Sequence, residues 1–286
     1  LRSQGAKFIL NHGRQSGMVN GKRVYFGNMP IEVNGGGAGL VDYLDATAKK
    51  KGIEIMYDTR AASLIQENGS VCGVRAQQKG KALELRAKSV VLACGSFESN
   101  PEMRARYLGP GWDMIHLRGV PFNPGDGLKM AMDIGAMPYG SWSTCHASPQ
   151  DIALPKFTVP SAHSLKDSQT RYMYPWGIMV NTNAERFIDE AYDTRGRTYA
   201  AMGRSILAQP GGIAYQILDA KIRKMNLYTP NYQSATTVKA DTLEKLGAEL
   251  DLLGDDGLPA PEARLGRRPT PRFAGKIGSH PARVGV

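Results

Sequence analysis

Residues 61–97, "AASLIQENGSVCGVRAQQKGKALELRAKSVVLACGSF", predict most of the architecture of this chain. The dipeptides Asn68-Gly69 and Lys79-Gly80 separate three β-prone runs: "AASLIQ", "VCGVRAQ" and "ALELRA". They predict a three-stranded antiparallel meander. The next run, "SVVLAC" at 89–94, is continuously apolar, as in a strand buried on both faces, and it ends at Gly95. Because ligands of open α/β sheets bind beyond the carboxyl ends of strands, we expect a ligand near this end.

The segment ahead of the meander predicts a hairpin, a helix and a strand. Asn20-Gly21 lies between two β-prone runs in "GMVNGKRVYFG" at 17–27, which predicts a type I′ hairpin. In 35–52 the apolar residues Leu40, Leu44 and Ala48 share one helical face, and Gly52 stands where a C′ glycine belongs. The run "IEIMY" at 53–57 predicts a strand after this helix.

Glycines precede that helix at Gly35, Gly36, Gly37 and Gly39. A glycine-rich entry lets the backbone approach a ligand at a helix N-terminus, where free N–H groups favour anions. The same glycines could instead form a flexible turn, because the pattern is not GxGxxG and no clear strand leads into it. Both interpretations stay open on the sequence.

Composition limits the class of protein. The chain has 286 residues, of which 42% are hydrophobic and 22% charged, as expected for one large globular domain or two smaller ones. No apolar run approaches the 18 residues of a transmembrane helix. The three cysteines are far apart without a CxxC motif, which favours reduced thiols and a cytoplasmic setting. The five histidines lack metal-ligand spacing, so we expect no metal site.

The two chain ends differ from the middle. The sequence begins with Leu1 and without the layout of a signal peptide, so it resembles a piece of a longer protein. Residues 257–286 contain five arginines, five prolines and no helix or strand period, which predicts a disordered basic tail. A basic arm could bind nucleic acid, but Phe273 is the tail's one aromatic residue, and we therefore expect no nucleic-acid partner.

Several motifs together resemble one enzyme superfamily. The segments "AKSVVLACGSFESNPEM" at 87–103 and "GDGLKMAMDIGA" at 125–136 are similar to the FAD domain of the fumarate reductase/succinate dehydrogenase flavoproteins. The segments "STCHASP" and "YPWGIMVNTNAERFIDEAYDTR" resemble its FAD-dependent tricarballylate dehydrogenase branch. The likeness runs from residue 1 to about residue 253. It lacks the family's N-terminal GxGxxG region and its C-terminal part.

The resemblance implies an α/β fold with an α+β cap. Residues 1–140 would form a partial FAD-binding domain that contains the antiparallel meander. Residues 141–256 would form a substrate cap domain, and 257–286 the tail. We expect no membrane span within the chain.

The resemblance also assigns cofactor-binding residues. FAD would lie against backbone or side chains of Gly35, Gly36, Gly37, Ala61, Ala93, Cys94, Gly95 and Asp126. Asp126 could also be a helix N-cap, because it stands directly before "GLKMAM". Pro124 replaces the family's usual threonine, so a side-chain hydrogen bond at that position is not expected.

Three residues would act on the substrate. His146 matches the family's substrate-carboxylate histidine, and Arg195 matches its proton-transfer arginine. The spacing to Arg195 is one residue longer than in the fumarate reductases, so Arg197 is the alternative and a second substrate contact. The nearby acids Asp189, Glu190 and Asp193 would pair with these arginines or relay a proton. A solvated, charged helix start is the other interpretation.

The implied reaction is FAD-dependent desaturation of a small polycarboxylate such as tricarballylate, with hydride transfer to flavin N5. An electron-acceptor protein or a quinone-linked partner would complete the cycle. One alternative is a 3-ketosteroid-type desaturase, for which Tyr172, Tyr174 and Tyr192 supply candidate bases. The other is a fragment that cannot hold FAD.

Overall fold

The computed structural model describes residues 1–11, 16–25, 31–157, 170–224, 232 and 235–250. Its α-helices are α1 (Gly36–Lys50), α2 (Pro101–Leu108), α3 (Asp126–Asp133), α4 (Arg195–Leu207), α5 (Lys221–Lys224) and α6 (Leu243–Glu249). Its strands are β1 (Phe8–Leu10), β2 (Ser16–Val19), β3 (Lys22–Tyr25), β4 (Ile31–Val33), β5 (Thr59–Glu67), β6 (Ser70–Gln78), β7 (Lys81–Arg86), β8 (Ile178–Val180) and β9 (Tyr215–Ile217). The predicted tail at 257–286 lies outside the described residues.

The predicted hairpin turns are confirmed. β2 and β3 pair antiparallel with Val19 opposite Lys22, and the turn residues Asn20 and Gly21 have φ of 50° and 73°. Asn68-Gly69 and Lys79-Gly80 also combine two positive φ angles. Type I′ turns require this backbone, which Asn and Gly adopt at low cost.

The meander is also confirmed, with β6 between β5 and β7. Gly73 in β6 is required by close packing, because a Cβ there would lie 2.4 Å from the carbonyl oxygen of Leu85. The remaining pairs are β1 with β4 and β8 with β9, both antiparallel. The fold therefore combines helices with small antiparallel sheets.

Two predicted strands are wrong. Residues 53–57 and 89–94 form no strand in the structure, and both runs are mostly exposed. Val91, predicted to be buried on both faces, is 88% exposed. A strand forms only where a neighbour accepts its backbone hydrogen bonds, and neither segment pairs with another among the described residues.

The predicted helix at 40–48 is confirmed as α1, and Gly52 after it has φ of 68°. Its apolar side is not a core face in the described chain, however, because α1 has no buried residue. Leu44, for example, is exposed. The periodicity thus predicted the helix but not its packing.

The described chain divides into two compact units. The first contains Leu1–Ala61 and Ala76–Glu84, and so includes β1 to β4 and α1. The second contains Ala62–Arg75 and the described chain from Leu85 onward. The predicted domain boundary at residue 140 stays a prediction.

Helix α4 is central to the core of the second unit. Met202 and Ile206 pack with Tyr174 and Met179, while Leu207 packs with Trp112 and Ala147. Full burial of such side chains contributes about 1.5–3 kcal/mol each. This packing fixes α4 against the segments 145–148 and 172–180.

A membrane-crossing helix is not found in the structure. Within the described ranges, no α-helix combines the length and apolarity that crossing a bilayer requires.

Candidate active site

The N-terminal turns of α4 lie beside His146. α4 begins at Arg195, and Tyr199 follows one turn later on the same helical face. The ring of Tyr199 meets the imidazole of His146 edge to face, with ring centroids 5.0 Å apart. Tyr172 packs against the same tyrosine at 5.4 Å. The structure therefore places His146 against the helical face on which Arg195 begins α4.

Backbone contacts hold the histidine segment against α4. The N–H of Ala147 donates to the carbonyl of Ala200 at 2.9 Å, and the carbonyl of Ala147 accepts from the N–H of Gly203 at 3.1 Å. A Cβ at Gly203 would lie 2.6 Å from the carbonyl carbon of Ala147. Only glycine allows this approach, so Gly203 indirectly sets the position of His146.

His146 lines a cleft of about 140 Å³, named the polar cleft for the charged and polar side chains in its wall, although apolar atoms form most of the exposed wall. Polar side chains that share its wall are those of Glu98, His116, Arg118, Ser148 and Gln150. The Nδ1 of His116 lies 2.5 Å from the carbonyl oxygen of Leu154. Because a carbonyl only accepts, this contact puts the proton on Nδ1 and leaves Nε2 of a neutral His116 as an acceptor. The cleft suits a small polar ligand.

Buried Arg104 orders one wall of this cleft. Its Nε donates to the carbonyl of Trp112 at 2.8 Å, its Nη1 to that of Glu98 at 2.5 Å, and its Nη2 to those of Asp113 and Ile115. Burial lowers the pKa of this guanidinium, while the charge of Asp113 opposes that shift. The Arg104 side chain donates to four backbone carbonyls. It therefore ties the loop after α2, at residues 112–115, to Glu98.

An apolar cavity of about 410 Å³ adjoins the polar cleft, and the two share Glu98 and Cys145 in their walls. Phe97, Leu128, Met132 and Trp142 line it. Phe97 and Trp142 have ring centroids 5.8 Å apart. The pair of cavities can thus hold a flat aromatic group next to a small polar one.

The wall of this cavity includes Ser96, directly after the predicted cofactor residues 93–95, but not those residues themselves. Ala93, Cys94 and Gly95 are exposed, and Gly95 has φ of 72° next to Ser96 in the cavity wall. A Cβ at Gly127 would lie 2.8 Å from the Cβ of Cys94, so α3 packs directly on this segment. The structure therefore brings Cys94 and the start of α3 together.

Asp126 is the first residue of α3, and Gly125 with φ of 85° is its N-cap. The N-cap interpretation of Asp126 is therefore wrong by one position. An acidic side chain in the first turn still complements the helix dipole.

The other predicted cofactor residues belong to the first unit. Gly35 and Gly36 have φ of 85° and 63° at the start of α1, and a Cβ at Gly37 would meet nothing within 4 Å. Ala61 is half-buried in β5. The exposed, glycine-rich backbone at a helix N-terminus suits a phosphate group.

The residues present fit FAD in both units. The start of α1 offers open space for phosphates, and exposed Gly95 borders an aromatic-lined cavity. The resemblance assigns Gly35, Gly36, Gly37 and Ala61 of the first unit, and Ala93, Cys94, Gly95 and Asp126 of the second unit, to cofactor binding.

The acids near Arg195 pair with other arginines. The Glu190 carboxylate, 2% exposed, accepts from Arg186 and from the N–H of Met179. Asp193 lies 3.4 Å from Arg197. Arg195 forms no ion pair within the part of the chain that the structure describes. Of the two candidate arginines, Arg195 is the one that carries an uncommitted charge.

The buried carboxylate of Asp151, which directly follows Gln150 in the chain, bonds to residues that are distant in the sequence. Asp151 accepts from Arg171 Nε at 2.9 Å, and from the N–H and hydroxyl of Thr236 at 2.9 and 2.6 Å. Burial alone would raise its pKa. The hydrogen bonds from Thr236, from the N–H of Ala153 and from Arg171 outweigh burial and lower the pKa to about 2.

Sequence reasoning missed Arg104, Gln150 and Gly203. Arg104 has the sequence environment of an ordinary helix arginine, and Gly203 lies within a helical pattern where glycine only weakens the helix. For Gln150, the one sequence signal of a place in the site was its position four residues after His146. The described residues contain no cluster of three or more His, Cys, Asp or Glu side chains arranged for a metal.

Comparison with known proteins agrees with these features. The FAD binding domain family matches residues 4–260. A probable fumarate reductase from Shewanella frigidimarina is 32% identical over 251 residues, which is 86% of this chain and 39% of that protein. A 3-oxosteroid 1-dehydrogenase from Mycobacterium tuberculosis is 27% identical over 80% of the chain and 41% of its own length.

A solved structure gives the same result. The open conformation of a flavocytochrome c3 fumarate reductase superposes with a TM-score of 0.60 at 26% identity, over 88% of this chain and 41% of that one. The chain thus spans about two fifths of the length of these relatives. Tricarballylate dehydrogenase, the branch suggested by the motifs, is not among these similarities. With a match over most of its length, the chain belongs to the FAD binding domain family.

Proposed function

We propose that this chain is part of an FAD-dependent oxidoreductase that acts on a carbon–carbon bond of a small polycarboxylate, with tricarballylate as the first candidate. The observation that carries the proposal is the polar cleft at His146, which shares a wall with the apolar cavity beside Gly95 and α3. A similar protein named probable fumarate reductase supports a dicarboxylate substrate, because fumarate is a dicarboxylate.

FAD, when bound, supplies hydride chemistry at its N5 atom. The chain must then hold the substrate carboxylates and move a proton. His146 at the cleft would bind one carboxylate by a charge-assisted hydrogen bond. Gly203 keeps that histidine against α4, so the site is preorganised by backbone packing rather than by a flexible loop.

Arg195 would transfer the proton. Its guanidinium is not neutralised by a carboxylate within the described residues, so its charge is available to a substrate. Arginine is normally protonated, and a base role requires transient loss of its proton to a carboxylate or to solvent. Binding a substrate carboxylate through two hydrogen bonds from the planar guanidinium requires no loss of a proton. Arg197, which pairs with Asp193, is the alternative carboxylate contact.

The electron acceptor is a further proposal. Two similar proteins from Shewanella frigidimarina are named fumarate reductase (cytochrome), and another relative is an NADH:fumarate oxidoreductase. We propose that an electron-transfer protein or a quinone-linked partner oxidises or reduces the flavin of this protein.

Steroid desaturation is the second candidate, because a 3-oxosteroid 1-dehydrogenase is among the relatives. It would need a tyrosine base. Burial raises the pKa of Tyr174 to about 12, although its hydrogen bond with Thr198 and the charge of Arg195 partly lower it. Tyr174 is therefore a poor base. Tyr172, which reaches His146 through Tyr199, is the better steroid candidate.

Anaerobic stopped-flow spectroscopy separates the two functions. The FAD-loaded protein is mixed with tricarballylate, succinate or a 3-ketosteroid, and flavin reduction is followed by the loss of absorbance near 450 nm. Oxidation of the reduced flavin by fumarate tests the reverse direction. The proposal expects reaction with a polycarboxylate and none with the steroid. Reaction with the steroid alone would refute it.

Variants then test the individual residues. Arg195→Lys should lower kcat by orders of magnitude with FAD still bound, because lysine keeps the charge but loses the fork. His146→Ala should mainly raise KM, because the carboxylate contact exists in both ground and transition states. Arg197→Lys is the matched control. If it abolishes kcat while Arg195→Lys does not, Arg197 has the proton-transfer role.

A further inference from the structure

Gln150 has an unusual position in the wall of the polar cleft. It is 5% exposed, and it forms an isolated antiparallel bridge with Thr170. Its Nε2 donates to the Ser148 hydroxyl at 2.7 Å. Its Oε1 is buried and has no hydrogen-bond partner within the described chain. One end of this amide is therefore anchored, and the other is unsatisfied.

A buried amide atom without a partner is unfavourable, and native proteins rarely keep one without a reason. Gln150 lines the same cleft as His146 and lies four residues after it. A ligand that entered this cleft could satisfy the open end of the amide. The unsatisfied atom thus points to a ligand contact.

The chemistry of the cleft decides which end of the amide meets that ligand. A serine hydroxyl can donate or accept a hydrogen bond. The terminal amide of Gln150 can therefore rotate by 180°, which exchanges its oxygen and nitrogen, and still bond to Ser148. In the turned amide, the NH2 group takes the place of the unpartnered oxygen, on a residue that lines the cleft. The guanidinium groups of Arg104 and Arg118 outnumber the single carboxylate, that of Glu98, among the residues of the cleft wall, so the cleft favours an anion.

We propose that Gln150 is a specificity-determining residue that donates a hydrogen bond to a carboxylate of the substrate, while Ser148 holds its other end. The inference rests on the proposed polycarboxylate function and adds a second carboxylate contact in the His146 cleft. It predicts that the site selects a charged carboxylate over its neutral ester, because an ester oxygen is a weaker acceptor than a carboxylate.

The test measures binding and turnover in the FAD-loaded protein. Isothermal titration calorimetry uses fumarate and tricarballylate as probes, and dimethyl fumarate as the neutral comparison. Gln150→Met keeps the length of the side chain and removes both polar ends. We expect its Kd for fumarate and tricarballylate to rise about 10- to 100-fold, the usual range for a lost hydrogen bond to a charged group. KM should rise with little change in kcat.

Two further variants sharpen the result. Gln150→Glu has nearly the same shape but opposes a substrate carboxylate, so its loss of affinity should exceed that of Gln150→Met. Gln66→Met is the matched control, because Gln66 is exposed on β5, and it should bind like the wild type. Circular dichroism shows whether each variant folds. If Gln150→Met does not fold, Gln150→Glu provides the comparison.

The outcomes distinguish this inference from the proposed function. Wild-type binding of fumarate or tricarballylate, with the folded Gln150 variants within twofold of it, overturns the role of Gln150 and leaves the proposed function intact. Binding of a 3-ketosteroid without either polycarboxylate overturns both. A loss of affinity equal for fumarate and dimethyl fumarate also overturns the inference, because it would report a change of shape rather than of charge recognition.

Discussion

Replacement of Gly203 by alanine tests how closely α4 holds the histidine segment. The added Cβ would lie 2.6 Å from the carbonyl carbon of Ala147, 2.7 Å from the nitrogen of Ser148 and 2.8 Å from the carbonyl oxygen of Ala147. Ordinary contacts begin at 3.4 Å. The backbone at 147–148 must therefore move by about 1 Å, since overpacked sites respond by backbone shifts.

The expected cost follows from the contacts that this shift strains. The two backbone hydrogen bonds between Ala147 and α4 contribute about 1 kcal/mol each, and overpacking costs about 1–3 kcal/mol. Alanine gains about 1 kcal/mol over glycine in helix propensity. We expect Gly203→Ala to lower the free energy of unfolding by about 2 kcal/mol. At the usual entropy of a domain this size, the Tm should fall by about 4–8 °C.

Urea unfolding followed by tryptophan fluorescence measures this change, because Trp112 is buried against Ala147 and Leu207. Gly196→Ala is the matched control on the same helix. A Cβ at Gly196 meets nothing within 4 Å, so this variant should be more stable by about 0.5–1 kcal/mol. If Gly203→Ala proves as stable as Gly196→Ala, the close approach of α4 to the His146 segment is refuted.

The lowered pKa of Asp151 and the four hydrogen bonds that Arg104 donates to backbone carbonyls, called the Arg104 clamp, give two further predictions. The pKa of Asp151 is lowered from 3.8 to about 2, so its ionised form stabilises the fold above pH 3.8, and this contribution is lost as pH falls toward 2. Wild type should therefore lose about 2 kcal/mol relative to Asp151→Asn between pH 5 and pH 2, measured by urea unfolding at each pH. A constant difference would show that Asp151 is not specifically stabilised as the anion. Arg104→Met should destabilise the chain by about 3–5 kcal/mol, because four carbonyls lose a charged donor. Arg106 lies on the exposed side of α2, so Arg106→Met should change the free energy of unfolding by less than about 1 kcal/mol. Equal effects of the two substitutions would contradict the clamp.

Local signals in the sequence predicted the turns well. Asn20-Gly21, Asn68-Gly69 and Lys79-Gly80 each have positive φ at both positions, a conformation that Asn and Gly adopt readily. The meander followed, because consecutive strands joined by two-residue turns pair with each other. α1 was predicted for a similar reason, since a helix satisfies its own backbone hydrogen bonds.

The predictions that failed depended on partners elsewhere in the fold. Val91 and its neighbours have the composition of a buried strand, but a strand forms only against another strand. A sequence window does not show whether that neighbour exists. The apolar face of α1 is a similar case, because periodicity indicates a face that can be buried but not what covers it.

The candidate site was only partly accessible from the sequence. His146 and Arg195 came from the resemblance; the structure packs His146 against Tyr199, one turn after Arg195 in α4, but Arg195 is not among the residues that line the His146 cleft. Gln150 and Gly203 were missed because their roles depend on contacts that are invisible along the chain. A buried amide and a close backbone approach are properties of the folded structure alone.

The central claim is that a substrate carboxylate binds in the polar cleft at His146, next to the cavity beside Gly95. A crystal structure of the FAD-loaded protein soaked with fumarate tests it most directly. We expect a fumarate carboxylate within hydrogen-bond distance of the His146 ring and the Gln150 amide, with the flavin ring in the cavity lined by Phe97 and Trp142. Fumarate bound elsewhere, with the His146 cleft filled only by water, would contradict it.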